Sequence, residues 1–158
     1  MIKDLNTTEG LKVLKENYTG RLAFIAQGRP YVLPITYFYD EPNNAIISYT
    51  GNGHKLNAMR LNNSVSLQVD KIESANNWQS VLIHGVFEEL SGSDARYQLH
   101  QFATGVKNII EEREKKDVHF ISEFSSKISS GEIPIVYRLR IMEITCKFRR
   151  PYGNGSPL

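Results

Sequence analysis

Hydrophobic positions recur along this chain with two periods, and the switches between them mark out its elements. Leu11, Val13 and Leu14 lie along a short helix that Thr7 or Thr8 caps and that stops near Asn17. From Arg21 to Ala26 the period drops to two, with Leu22 and Phe24 on one face and Ala23 and Ile25 on the other. Gln27-Gly28-Arg29 reads as a turn, and Tyr31 to Tyr39 as a strand rich in β-branched and aromatic residues. Asp40-Glu41-Pro42-Asn43-Asn44 is a second turn, after which Ala45 to Tyr49 resumes as strand. These three strands read as an antiparallel meander.

A helix over about His54 to Leu61 follows, with Leu56 and Met59 on one face. Val65, Leu67 and Val69 then alternate with Ser64, Ser66, Gln68 and Asp70, the signature of a strand with one wet face. Gln79 to Leu90 is a longer strand, and Ser91-Gly92-Ser93-Asp94 ends it and caps a helix from about Ala95 to Ala103. Residues 105–130 are mixed: Val106, Ile109, Ile110 and Arg113 favour helix, and the Glu111 to Asp117 charge run forms its solvated face.

The last element, Ile135 to Phe148, changes phase. Tyr137, Leu139 and Ile141 share one face; the later apolar positions are Met142, Ile144, Cys146 and Phe148. A one-residue shift turns every later side chain over, so a bulge or sharp bend is expected near Ile141–Glu143. About six strands with helices between them predict a mostly β, α+β domain over residues 1–150, built on a small closed sheet that hides its edges. Residues 151–158, rich in Pro and Gly, read as a loose tail.

Composition narrows the partners. With 41% hydrophobic and 23% charged residues the chain is not a disordered one, and a net charge of +2 argues against nucleic acid as a partner. No apolar run approaches the roughly 20 residues that cross a bilayer. The single cysteine, Cys146, permits no internal disulfide and reads as a small buried hydrophobe, and the N-terminus lacks an export pattern. A cytoplasmic protein with no membrane contact is the expectation.

Candidate chemistry gathers in Tyr49-Thr50-Gly51-Asn52-Gly53-His54-Lys55, a strand end running into a helix start. Two glycines admit close approach, and helix N–H groups meet His54 and a cationic Lys55, which suits a phosphate as well as an ordinary turn. A Walker loop is absent. In Arg29 to Thr36, Pro34 cannot donate to a ladder, so this stretch is an edge or faces something other than a strand. Trp78-Gln79-Ser80-Val81 puts an indole and a hydroxyl at a strand start. His54, His84, His100 and His119 have no metal-ligand spacing, and neither a nucleophile elbow nor a dinucleotide fingerprint occurs, so no metal is expected. Arg138, Arg140, Lys147, Arg149 and Arg150 read as a solvated strand face.

In order, Gly20-Arg21-Leu22-Ala23, Gly28 to Ile35, Gly53-His54-Lys55-Leu56 through Asn63, Val65–Val69, Trp78 to Gly85 and Ile144-Thr145-Cys146-Lys147 resemble the FMN-binding split-barrel, pyridoxamine 5′-phosphate oxidase-like family, in particular its nitroimidazole-resistance-type branch. That resemblance implies a six-stranded antiparallel split β-barrel with flanking helices, a homodimer with FMN at the subunit interface, and an FMN-dependent oxidoreductase of unknown small-molecule substrate. A nicotinamide (NAD(P)H) or another donor would reduce the FMN, and a nitro compound is the kind of acceptor. It further implies that the backbone of Val32, Leu33, Pro34, Ile35 and Thr36 bonds the isoalloxazine edge. Tyr49, Thr50 and Lys55 would lie at the phosphate, with His54 beside them as the catalytic histidine. Ser80 would contact the flavin from the neighbouring strand, and Trp78 would shape the same wall. A non-catalytic flavin or haem binder, acting in storage or sensing, is the alternative, and F420 an alternative cofactor. The basic residues that hold pyridoxamine phosphate in oxidase members have no convincing counterpart here.

Overall fold

The computed structural model describes residues 1–114 and 134–151. The expected tail beyond Pro151, the charge run beyond Glu114 and the rest of the 95–130 stretch lie outside the described residues. The elements are β1 (Lys3–Asp4), α1 (Thr7–Glu16), β2 (Thr19–Ala26), β3 (Arg29–Thr36), β4 (Phe38–Asp40), β5 (Ala45–Thr50), α2 (His54–Leu61), β6 (Ser64–Ser74), β7 (Asn77–Glu89), α3 (Gly92–Glu114) and β8 (Ile135–Arg149).

Every pairing is antiparallel, in the order β3-β2-β6-β7-β8-β5-β4, with β1 added beside β8. The two edge strands, β3 and β4, follow each other in sequence with only Tyr37 between them. The sheet must therefore curl until its edges meet at that residue. Tyr37 is buried, and its hydroxyl donates to the Leu14 carbonyl of α1 at 2.7 Å. The result is the expected split β-barrel, with two differences of detail. The strand expected over Tyr31 to Tyr39 breaks at Tyr37, where the chain leaves β2 and joins β5. The three early strands are accordingly not a meander: β3 pairs β2, β4 pairs β5, and β3 and β5 never pair. With β1 these changes make eight strands where six were expected.

The interior is filled from both sides of the curl by Leu22, Phe24, Ile46, Leu67, Val69, Val81, Ile83, Tyr137 and Leu139, with Leu56 and Met59 of α2 and Val13 and Leu14 of α1 closing it. A second apolar layer, Leu99, Phe102, Val106 and Ile110, seats α3 on the outside of β5 and β8 against Ile47 and Val136. One continuous helix takes the place of the short helix and mixed stretch, because Leu99, Phe102, Val106 and Ile110 keep a single stripe at helical spacing. Asn6, not Thr7 or Thr8, caps α1: its Oδ1 accepts from the Glu9 N–H at 2.8 Å.

The bulge falls where the phase change put it. His84 faces Glu143 and Gly85 faces Ile141, so Met142 is the extra residue, unpaired and 64% exposed. Beyond it Ile144, Cys146 and Phe148 return to the core side. Gly85 allows this approach, since a Cβ there would stand 2.7 Å from the Arg140 carbonyl oxygen.

Cys146 is buried as expected, and burial pushes its thiol up from the ordinary range. Its sulfur occupies the space a Cβ on Gly10 would need. Gly10→Ala is therefore expected to destabilise the fold by roughly 1–3 kcal/mol through overpacking. Adding Cys146→Ala should recover part of that loss in urea unfolding, giving a coupled cycle. Additive losses would show that the two residues do not compete for this space.

Candidate functional site

Two hydrogen bonds fix which way β3 presents its backbone. The Tyr37 N–H donates to the Tyr18 carbonyl at 2.8 Å, extending the β2–β3 ladder, while the Thr36 carbonyl accepts from Ser48 Oγ of β5 at 2.7 Å. Backbone groups alternate in direction along a strand. Tyr31, Leu33 and Ile35 thus turn theirs towards β2, and Pro30, Val32, Pro34 and Thr36 turn theirs to the unpaired edge. Both prolines lie in the second set, so neither missing N–H is a loss to the ladder. What remains on the open edge is the Pro30 C=O, the Val32 N–H and C=O, the Pro34 C=O and the Thr36 N–H.

The opposite wall is pinned at both ends. The Ser48–Thr36 bond holds the end of β5 to the end of β3. The His54 ring, at the start of α2, lies 5.1 Å from the Tyr31 ring and edge-on to it; Tyr31 in turn stacks on Phe24 at 5.4 Å. Residues 48–54 therefore run beside β3 from Thr36 back to Tyr31, a length of roughly 17 Å. This is the split of the barrel. It is bounded on one side by free backbone groups and on the other by the glycine-containing turn and the first turn of α2.

That first turn is charged against convention. α1 opens with a side-chain cap and an acidic residue, Glu9. α2 opens on Gly53 with no side-chain cap and no acid, and carries His54 and Lys55 instead. The helix start already concentrates partial positive charge. Lys55 is half-buried, burial lowers its pKa from the ordinary lysine value, and it has no carboxylate partner among the described residues. A desolvated cation at a helix start without a counter-charge among the described residues has the chemistry that suits an anion.

The other expected residues are placed as follows. Val32, 66% exposed, and Pro34 put their side chains on the sheet's outer face, while Leu33 and Ile35 turn inward. Tyr49 faces away from the split and meets Phe102 of α3 edge-on at 5.2 Å, and burial raises its pKa. Thr50 is half-buried and its Oγ1 donates to the Gly51 carbonyl at 3.1 Å. Trp78 and Ser80 lie on the outer face of β7, opposite Ile72 and Asp70 of β6. Ser80 does not stand on a strand next to β3: β2 and β6 lie between β7 and β3, roughly 14 Å along the sheet. Its Oγ instead accepts from Gln68 Nε2 at 3.0 Å, in a network with the Arg21–Asp70 ion pair at 2.9 Å.

Three residues of the split were not expected. Tyr31 and Phe24 form the platform for His54, although both read as ordinary alternating strand residues. Ser48 is the tether, and nothing in its local pattern distinguishes it from a buried strand serine. Beneath the tether, the Tyr137 hydroxyl is buried without a hydrogen-bond partner. Burial pushes its pKa up to about 12; Ser48 pulls the other way without coming into hydrogen-bonding geometry.

The chain's relatives agree with this architecture. A family model described as pyridoxamine 5′-phosphate oxidase matches residues 6–148. A crystal structure of an FAD-binding protein from Mesorhizobium loti superposes with a TM-score of 0.71 at 26% identity, covering 94% of this chain and 98% of that one. A putative 5-nitroimidazole antibiotic resistance protein from Bacteroides thetaiotaomicron superposes with a TM-score of 0.66 at 14% identity, covering 94% and 89%, and at that identity shows the fold alone. An uncharacterized protein of Rhizobium meliloti is 37% identical over 70 residues, 44% of this chain; the match spans 45% of that protein's length.

The buried Lys55 charge has a thermodynamic signature. Its folded pKa lies below its unfolded value of 10.5, so between the two the unfolded chain holds more protons and stability rises with pH. Tyr37 and Tyr137, whose pKa values are raised, act oppositely above about pH 10. The Lys55→Met protein, freed of bound ligand, should be at least as stable as the parent at neutral pH, with the difference shrinking as the pH nears 10.5. Urea unfolding of both proteins across that range checks it, and a variant less stable at neutral pH would contradict the uncompensated charge.

Proposed function

The chain belongs to the pyridoxamine 5′-phosphate oxidase family, and from that premise we propose that it holds a flavin along the split of its barrel and works as an FMN-dependent oxidoreductase on a small molecule. The observation that carries this reading is the pairing of an unsatisfied strand edge with an uncompensated cation at a helix start. The first suits the heteroatom edge of a planar ring, and the second suits a phosphate bearing between one and two negative charges.

Lys55 and the first N–H groups of α2 hold the phosphate. Val32 and Thr36 donate their open N–H groups to the ring edge, and the Val32 and Pro34 carbonyls accept from it. Ser48 keeps the end of β3 at a fixed distance from β5, so the cleft width is set before binding. His54, steadied on Tyr31, closes one end and is the group there able to take up or hand over a proton. A flavin bound there would supply the two-electron chemistry. Reduction by NAD(P)H and transfer to an acceptor such as a nitro compound is the reaction class we assign.

The same reading includes a second copy of the chain. Val32, Ile25 and Met142 leave apolar side chains on the outer face, and Pro30 and Pro34 stand among them. A homodimer would cover them and bring the Trp78–Ser80 face towards the partner's cleft. One observation favours FAD as a second cofactor reading. Beside His54, the β2–β3 turn and α2 enclose a slot of about 280 Å³ lined by Ile25, Ala26, Asn57, Ala58 and Leu61. Its volume exceeds that of one planar base, such as FAD carries beyond a second phosphate.

The purified protein is expected to be yellow, and mass measurement of the released ligand distinguishes FMN from FAD, F420 or haem. NAD(P)H should bleach the flavin; a flavin that stays oxidised would leave a storage or sensor protein. Lys55→Met should weaken binding by about 1.5–3 kcal/mol, the worth of a hydrogen bond to a charged group, or roughly 10- to 150-fold. An unchanged affinity would remove Lys55 from the site. Val32→Glu is expected to shift the protein to a monomer in size-exclusion chromatography and to lower its flavin content, whereas an unaltered elution volume would place the subunit contact elsewhere.

A further inference from the structure

A second groove lies away from the split, between α3 and the β4–β5 turn. Its volume is about 480 Å³, and its walls include Phe38, Asp40, Asn43, Tyr97, Gln98 and Gln101. It is a built feature. Gly105 sits inside α3, where glycine costs about 1 kcal/mol, and a Cβ there would collide with the Phe38 ring. The glycine lets α3 settle onto β4 and brings Gln98 down over the turn.

The polar groups at its base are acceptors without enough donors. Asp40 is only 8% exposed, yet no cation pairs with it among the described residues. Its Oδ2 accepts from Asn43 Nδ2 at 2.8 Å and, at 3.4 Å, from Gln98 Nε2. Gln98 is 4% exposed, and its Oε1 has no partner at all. The rim supplies no answer, because Lys15 is held by Glu41 at 2.5 Å. Buried carboxylates are ordinarily paired, and a buried acceptor left unmade costs about 1–3 kcal/mol. Two aromatic side chains, Phe38 and Tyr97, line the same groove, the latter 60% exposed.

A carboxylate short of a counter-charge, in a groove also lined by aromatic rings and by an unpartnered buried amide oxygen, suits a cation bearing N–H donors. We propose that this groove is a binding site for a compact organic ammonium, a primary amine or the amino end of a larger molecule. Asp40 is its counter-charge, and Tyr97 is the ring over its carbon chain. A small turn of the Gln98 carboxamide would give Oε1 the donor it lacks. The site does not depend on a flavin, since none of its residues borders the split.

Putrescine is a suitable probe, with 1,4-butanediol as its uncharged counterpart, titrated into the full-length protein as purified at constant ionic strength. A saturable rise in Tm with the diamine and none with the diol is expected. Asp40→Asn should abolish the response, and Tyr97→Ala should weaken the affinity by about two- to fivefold. An equal response to the diol, no saturation, or an undiminished response in Asp40→Asn would overturn the proposal. Should Asp40→Asn fail to fold, Tyr97→Ala at the surface decides: an affinity equal to that of the parent protein also overturns it.

Discussion

Pro30 and Pro34 withhold their N–H groups from the same side of β3, and that side is where the barrel stays open. A strand so built can ladder on one edge only. Its partner edge goes to β2 over the whole of Arg29–Thr36, so β5 cannot pair with it and must find β8 instead. The chain resolves the conflict at Tyr37, where it stops following β2 and becomes β4. Closure of the sheet thus occurs through a covalent link and one side-chain bond, Ser48 to Thr36, in place of a ladder. The cleft is a consequence of this one-sidedness. The free backbone groups in it follow from where the prolines are, its width from the Ser48 tether and the place of the helix start from the Tyr31–His54 ring contact.

The remainder of the sheet must be long and curved enough to carry β3 round to meet β4. β8 does most of this, pairing β7 along Tyr137–Arg149 and β5 along Ile135–Arg140. A flat strand of that length could not turn the corner; the extra residue at Met142 bends it and increases its twist. Gly85 opposite gives the bend room. The two charged pairs that Glu88 makes with Arg138 and Arg140, at 2.7 and 3.1 Å, lie just before the bulge on the face away from Tyr137 and Leu139 and link β7 to β8 there. What read as a solvated basic face is partly this clamp.

How much of this was legible follows from the range over which each feature is determined. The bulge was legible because alternation is a local property, and a phase slip between Ile141 and Met142 has one structural meaning. The edge character of Pro34 was legible for the same reason. The break at Tyr37 was not: Thr36-Tyr37-Phe38 alternates without interruption, and only the exchange of partners from β2 to β5, set by distant strands, ends β3 there. Lys55 and His54 announced themselves by standing at a helix start. Ser48 and Tyr31 did not, because their parts are defined by what faces them across a gap, and sequence spacing carries nothing about gaps. The place of Ser80 was not legible either, since the sheet order puts β2 and β6 between it and β3.

Two groups stand out because they are withdrawn from water without an ion pair among the described residues. Arg21, Arg60, Arg138 and Lys147 each have a carboxylate within ion-pair reach, so this chain is not short of counter-charges. Lys55 and Asp40 have none among the described residues, although each is more withdrawn from water than most of the paired groups. Desolvating a charge without compensation weakens the folded state, and folds tolerate such departures mainly where a ligand restores the balance. Both groups hang from one connected stretch: β3 leads through Tyr37 to Asp40, and β5 leads to Lys55. The crossover that forces the barrel open thus also delivers one unbalanced charge of each sign to opposite sides of itself. The cation lies beside the open edge, and the anion lies under α3. Their opposite signs would keep the two proposed ligands apart, since a phosphate suited to the first would be repelled by the second, and an ammonium the reverse.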